Sequence, residues 1–345
     1  MEITTELSAI IIHSLRTHIL IDLAKEKGIA LSDLLQNTEV NPEEIEKRSF
    51  TITAAQYALI ITNLLPLIKN TDFALEFGKR LNITSRGQVG IVLMSQPNLK
   101  EVIKFAFEFQ KLLDIPHQGH IYHNQEGLLV EIESRQHPLL TDAFWQFNIE
   151  TIIASFQVSA SFLLQQKLTF KKVCFSFPEP SYGKAYRELF ECPIEFNANT
   201  SAMLFPQEVL EVPIQTANAT IAENSQQLFK KLLHQYQKTQ PTSYRARAIL
   251  SETLGNYPEQ KDLAAKLSMN ERTLRRKLAE EDSSYQLILD DVRQQHAKRL
   301  LKNQQGSVEY IAKNLGFSDA SSFRKAFKRW TGKTPIEYRN ISKSA

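Results

Sequence analysis

Twice near its C-terminal end the chain spells a short helical stripe, a tight break and a second helix that is apolar on one side and basic on the other. In the first copy Leu263, Ala264 and Leu267 recur at helical spacing within Asp262–Leu267, and Ser268-Met269-Asn270 breaks the pattern. Glu271–Glu280 follows, with Leu274 and Leu278 four apart and Arg272, Arg275 and Arg276 on the opposite side. In the second copy Val308, Ile311 and Ala312 lead to Leu315 and a turn at Gly316. A helix from Ser318 or Asp319 to about Trp330 then carries Phe323, Phe327 and Trp330 at i, i+4 and i+7. Helices this short do not stand alone in water, so each must bury its stripe on a neighbour. A three-residue break makes that neighbour the adjacent helix, which predicts two helix–turn–helix units.

Start and stop signals agree with this reading. Asn270 is placed to cap 271–280, and Ser318 or Asp319 to cap 319–330. Thr334-Pro335-Ile336-Glu337 has a cap residue, proline at the first helical position and Glu three residues on, a capping box for a last helix. Between the units, Ser284–Lys302 reads as one helix ~28 Å long at 1.5 Å per residue. A spacer of that length could hold two helices about one DNA turn, ~34 Å, apart.

The charge distribution says what such units would meet. Residues 1–225 hold 18 Lys and Arg against 26 Asp and Glu, while residues 226–345 hold 23 against 12. The formal net charge of +3 therefore joins an acidic larger part to a basic smaller one. A basic face is usually only solvated, but two capped units with basic outer faces in a basic segment point to a polyanion. Arginine suits base reading because its planar fork bonds guanine O6 and N7 together.

These residues resemble a known family. The segment Tyr257–Tyr338 is similar to the double helix–turn–helix DNA-binding domain of AraC/XylS transcription regulators. The likeness rests on Asp262–Leu278, on Ile311–Trp330 and on Gly332-Lys333-Thr334-Pro335-Ile336-Glu337-Tyr338-Arg339. Ser268 departs from it, standing where a turn glycine is common. Leu81–Leu113 and Phe175–Val212 resemble the arabinose-binding-like N-terminal domain of a subgroup that includes ornithine-utilisation and virulence regulators. Phe177-Pro178-Glu179-Pro180-Ser181-Tyr182 and Tyr186–Ile194 carry this second likeness. A sugar ligand does not follow from it.

The resemblance and the residues together give the expected organisation. Residues 1–205 form an α+β effector-binding and dimerisation domain, 206–240 a connector with a short helix, and 241–345 an all-α DNA-binding domain. Helices 271–280 and 319–330 enter adjacent major grooves. Arg272, Thr273, Arg275 and Arg276 in the first unit, and Ser321, Ser322, Arg324 and Lys325 in the second, are the expected base or near-base contacts. Lys328 and Lys333 are expected on phosphate.

Within the acidic part, Glu101–Leu113 and Asp142–Leu164 read as amphipathic helices, the first ended by Pro116. Ile121–Glu133 reads as a hairpin, Val173–Phe177 as a strand, Ser181–Phe190 as a short helix, and 193–196 and 202–205 as short strands. Phe105, Phe109, Trp145 and Phe156 are candidates to line an effector cavity, since ligand pockets are mostly apolar. Arg86 and Arg135 are candidates to meet an acidic effector. His117, His120 and His123 are spaced by three, but on a loop-to-strand junction they point to different faces, so no metal is expected. No cofactor is expected either.

Several classes are disfavoured. No run approaches the ~20 apolar residues of a membrane span, and the start Met1-Glu2-Ile3-Thr4-Thr5-Glu6 has no basic region of a signal peptide. Two cysteines, Cys174 and Cys192, make no disulfide framework and fit a cytoplasmic protein. The chain has no His-Glu-x-x-His, Gly-x-Ser-x-Gly, phosphate-cradling loop or Cys-x-x-Cys, so no enzyme is expected. Double-stranded DNA and a small-molecule effector are the expected partners, with RNA polymerase if the protein activates, and a second copy of the chain. The alternatives are a constitutive regulator whose N-terminal domain only dimerises, a nonspecific architectural DNA binder, and an enzyme with a DNA-binding appendage using Cys192.

Overall fold

The computed structural model describes residues 11–45, 51–110, 118–124, 126–133, 141–251, 253–302 and 306–344. The chain divides into two compact units, residues 1–233 and 234–345. One helix, Ala219–Thr239, crosses the division.

The first unit is the expected mixture of helix and sheet. Strands β1 (Ile11–His13) and β2 (Thr51–Thr53) form an antiparallel pair. The main sheet has β3 (Gln118–Asn124), β4 (Gly127–Glu133), β5 (Lys172–Cys174), β6 (Ile194–Glu195) and β7 (Ser201–Pro206), in the order β3-β4-β7-β5-β6. The β3–β4 hairpin pairs Gln118 with Glu133 through Asn124 with Gly127. The alternation in β4 is the one that the sequence predicts: Leu128, Val130 and Ile132 are buried, while Leu129, Glu131 and Glu133 are half-exposed. The strand expected over 173–177 runs only over Lys172–Cys174; beyond it the Phe175 N–H still donates to the Glu195 carbonyl at 2.8 Å, and the Phe175 ring packs on Phe177, Tyr186 and Phe196.

The long helix Asp142–Leu164 begins and ends where its pattern predicts. Thr141 caps it by accepting a hydrogen bond from the Phe144 N–H at 3.2 Å. Its first turns bury Phe144, Trp145 and Phe147 against Leu20, Ile60 and Phe77, within a helical sub-core. Its later turns bury Ile149, Ile153, Ala160 and Leu163 with the sheet residues Val130, Met203 and Phe205. By length and composition alone this helix could cross a membrane, but it is mostly buried inside the unit. The helix expected over 101–113 runs from Leu99, capped by Asn98, to Glu108; residues 111–113 and Pro116 lie outside the described residues. The stretch expected as a connector gives Leu210, Ile214 and Phe229 to the core of the first unit.

The second unit is all helix among its described residues. Its helices are α1 (Thr242–Ser251), α2 (Gln260–Lys266), α3 (Glu271–Glu280), α4 (Tyr285–Lys302), α5 (Val308–Asn314), α6 (Ala320–Thr331) and α7 (Pro335–Ser344). Two cores form within it. Leu263, Leu274, Leu278, Ile288 and Val292 build an aliphatic one around α2–α3. Leu301, Ile311, Leu315, Phe323 and Phe327 build an aromatic-rich one around α5–α6. The 18-residue helix α4 contributes to both.

Candidate nucleic-acid interface

Helix α3 is fixed in rotation by its own sequence. Asn270 Oδ1 accepts from the Thr273 N–H at 2.8 Å, satisfying one free donor of the first turn. Leu274 and Leu278 are fully buried, which turns Arg272, Arg275 and Arg276 to the exposed side. Arg275 pairs with Glu271 at 3.0 Å and Arg276 with Glu280 at 2.5 Å, both one turn apart on the same helix. Exposed pairs of this kind contribute only ~0.3–0.5 kcal/mol, so phosphate or a base edge can displace them. Among the described residues Arg272 makes no ion pair. Thr273 is half-exposed beside it.

Helix α6 is built the same way with different parts. Asp319 is its cap: its carboxylate accepts from the Ser322 N–H at 2.8 Å, the Ser322 hydroxyl at 2.9 Å and the Ser318 hydroxyl at 3.0 Å. These donors, the Ser322 N–H foremost, hold the Asp319 carboxyl below its ordinary range. Phe323 and Phe327 are buried, and Ser321, Ser322, Arg324, Lys325 and Lys328 are exposed. Arg324 reaches Glu309 on α5 at 2.7 Å, and Arg329 reaches Asp290 on α4 at 2.9 Å. Lys325, Lys328 and Lys333 make no ion pair among the described residues. The capping box before α7 is present: Thr334 N–H donates to Glu337 at 2.7 Å and Glu337 N–H to Thr334 Oγ1 at 3.3 Å.

One residue that local patterning does not single out ties the units together. The Arg293 guanidinium on α4 lies over the rings of Tyr257 and Phe317, 5.2 and 4.8 Å from their centroids. It also donates to the carbonyls of Leu315 at 3.1 Å and Gly316 at 3.3 Å. These bonds hold the turn before α6. Gln294 adds a bond to the Trp330 carbonyl at 2.9 Å.

The described candidate effector residues are spread over two core clusters and one buried hydrogen bond. Phe105 and Phe109 pack on each other at a tilt and meet Phe229 edge-on in the sheet-side core. Phe156 packs on Phe107 and Phe205. Trp145 belongs to the helical sub-core, against Phe144. Arg86 donates to Ser155 Oγ at 2.9 Å, and burial, with Arg16 nearby, lowers its guanidinium to about 10. Arg135 and His117 lie outside the described residues. His120 faces Glu133 at 3.2 Å, and no metal-binding cluster of His, Cys, Asp and Glu occurs among the described residues. Burial pushes the Cys192 thiol up to about 11, opposite to what a nucleophilic thiol requires.

Comparison with known proteins agrees with this geometry. Residues 28–214 match the arabinose-binding domain of AraC transcription regulators, and residues 263–341 match a helix-turn-helix domain. The chain belongs to the AraC family of transcription regulators. This AraC-family regulator is 30% identical over 321 residues to the ornithine utilization regulator of Pseudomonas aeruginosa, covering 93% of this chain and 94% of that protein. It is 29% identical over 274 residues to the regulator VqsM of the same species, covering 77% and 83% of the two chains. The crystal structure of the regulator CdpR from that species is similar at 23% identity and a TM-score of 0.49, covering 94% and 98%. The second unit of this AraC-family regulator is thus its DNA-binding domain, and the first contains its arabinose-binding-like domain.

Proposed function

We propose that this AraC-family protein is a sequence-specific regulator controlled by a small molecule bound to its N-terminal domain. Residues 1–205 serve effector binding and dimerisation, 206–240 connect, and 241–345 bind DNA in the cytoplasm. Helices α3 and α6 enter successive major grooves. Arg272, Thr273, Arg275, Arg276, Ser321, Ser322, Arg324 and Lys325 read or approach bases, and Lys328 and Lys333 meet phosphate. The observation that supports this reading is the pair of capped helices that turn displaceable or unpaired basic side chains outward from α4, a scaffold ~27 Å long.

Competition binding tests the reading. A site selected from random DNA should be bound at least ~10³-fold more tightly than bulk DNA at physiological salt. A steep salt dependence with no such preference would instead mark an architectural binder.

A further inference from the structure

We propose that Arg245 and Arg293 are equivalent positioning residues, each of which sets the turn that presents one reading helix to its groove. This rests on the reading that α3 and α6 enter separate grooves.

The two arginines occupy the same place in two turns of one design. In the first unit the Met269 N–H donates to the Ala264 carbonyl at 3.0 Å, and the Ser268 N–H to the Ala265 carbonyl at 2.9 Å. In the second the Phe317 N–H donates to the Ala312 carbonyl at 3.0 Å, and the Gly316 N–H to the Lys313 carbonyl at 3.1 Å. Each pair of bonds closes a helix, α2 or α5, around a left-handed residue, Ser268 or Gly316. That ending satisfies two of the open carbonyls of the last turn but not those of Leu267 and Leu315, the residues just before the left-handed ones. The arginines take these. Arg245 on α1 donates to the Leu267 carbonyl at 3.3 Å, and Arg293 on α4 donates to the Leu315 carbonyl at 3.1 Å. Each arginine precedes its leucine by 22 residues.

The bonded peptide plane is the one that decides where the chain goes next. Ser268-Met269-Asn270 leads from it into α3, and 316–319 lead into α6. Tilting that plane would therefore swing a whole helix and move all of its outward side chains together. A guanidinium is suited to hold it, being planar, permanently charged and rigid in its donor directions. A cation is also favourable at a helix C-terminus. Neither arginine makes an ion pair among the described residues, so the charge is committed to the turn. Both stand on the helix behind the turn rather than on α3 or α6, so they act through the reading side chains.

Binding of the full-length protein to its selected site, to single-base-pair variants of that site and to random-sequence DNA at one salt concentration tests this. Arg245→Met removes the donors and keeps an apolar stem. It should weaken the selected site about fivefold or more and flatten the base preferences in the α3 block alone. Arg293→Met should do the same in the α6 block alone. Binding to random-sequence DNA should stay within about twofold of wild type, because the basic outer faces are intact. Arg245→Lys and Arg293→Lys keep charge and stem without the fork, and should show the same block-confined loss to a smaller degree. A merely structural role would lower the folded fraction, reducing selected-site and random-DNA binding alike and leaving the ranking of base pairs unchanged. That result overturns the proposal, as does a loss spread evenly over both blocks. Failure of both variants at either position to fold overturns it at that position. Absence of two protected blocks in the wild-type protein would instead count against the groove reading and is measured separately.

Discussion

The two helix–turn–helix units share a layout and differ in how each is held. The first relies on aliphatic packing and on charge pairs internal to α3, Arg275 with Glu271 and Arg276 with Glu280. The second uses an aromatic core and is tied to neighbouring helices by Arg324–Glu309, Arg329–Asp290 and the Arg293 bridge. Their turns differ as well. Gly316 takes φ +69° where the backbone passes close to Gly255, whereas Ser268 takes φ +59° with a side chain. Each turn carries an arginine on the carbonyl before it, Arg293 on Leu315 at 3.1 Å and Arg245 on Leu267 at 3.3 Å, so the units differ in the turn residue and in the core behind it.

Removing the aromatic support should have the largest effect. Phe327 is fully buried between Phe323 and Tyr338. Phe327→Ala should cost ~3–5 kcal/mol in denaturant unfolding of the second unit. Next comes the reading surface: Arg275→Ala should weaken a selected site by ~1–3 kcal/mol and relax preference at one base pair. An equal loss on every sequence would reassign Arg275 to phosphate.

The turns give an opposed pair of smaller effects. Gly316→Ala should destabilise by ~1–2 kcal/mol or more, since left-handed backbone disfavours a Cβ and the new atom would lie 2.8 Å from the Gly255 carbonyl oxygen. Ser268→Gly should stabilise by ~0.5–1 kcal/mol for the same backbone reason. Thermal melts of the two variants that moved in the same direction would break the comparison.

Acid supplies the smallest effect, tested in the first unit. The Glu281 carboxylate caps α1, accepting from the Thr242 and Ser243 N–H groups at 2.7 Å each. Burial raises its pKa, but the bonds from Ser243 and Thr242 outweigh this and leave it lowered. A depressed folded value means that the cap is fully stabilising above the ordinary carboxylate range. That stability is lost as pH falls through the folded value. Glu281→Gln should flatten this acid limb and lower stability near neutral pH by ~1 kcal/mol.

What was legible in the sequence was local. Asn270, Asp319 and the Thr334–Glu337 box announce helix starts, and Leu274, Leu278, Phe323 and Phe327 announce buried faces, because caps and stripes act within a few residues. The hairpin turn and the alternation of β4 are local in the same way. The strand order β3-β4-β7-β5-β6 and the parallel β5–β6 pair were not legible, since they join segments by pairings that no periodicity encodes. Arg293 and Glu281 act on residues 22 to 39 positions away, so they read as ordinary surface charges. Within the N-terminal unit aromatic richness marked a core, and the cluster of Tyr182, Tyr186 and Gln146 around the buried Glu150 emerged only once the helices were packed.

Footprinting of the full-length protein on a site selected from random DNA tests the central claim most directly. Two protected blocks about one helical turn apart are expected, with Arg275→Ala weakening one block and Lys325→Ala the other. Uniform coating of the DNA, or two blocks that fade together in either variant, would contradict the assignment of α3 and α6 to separate grooves.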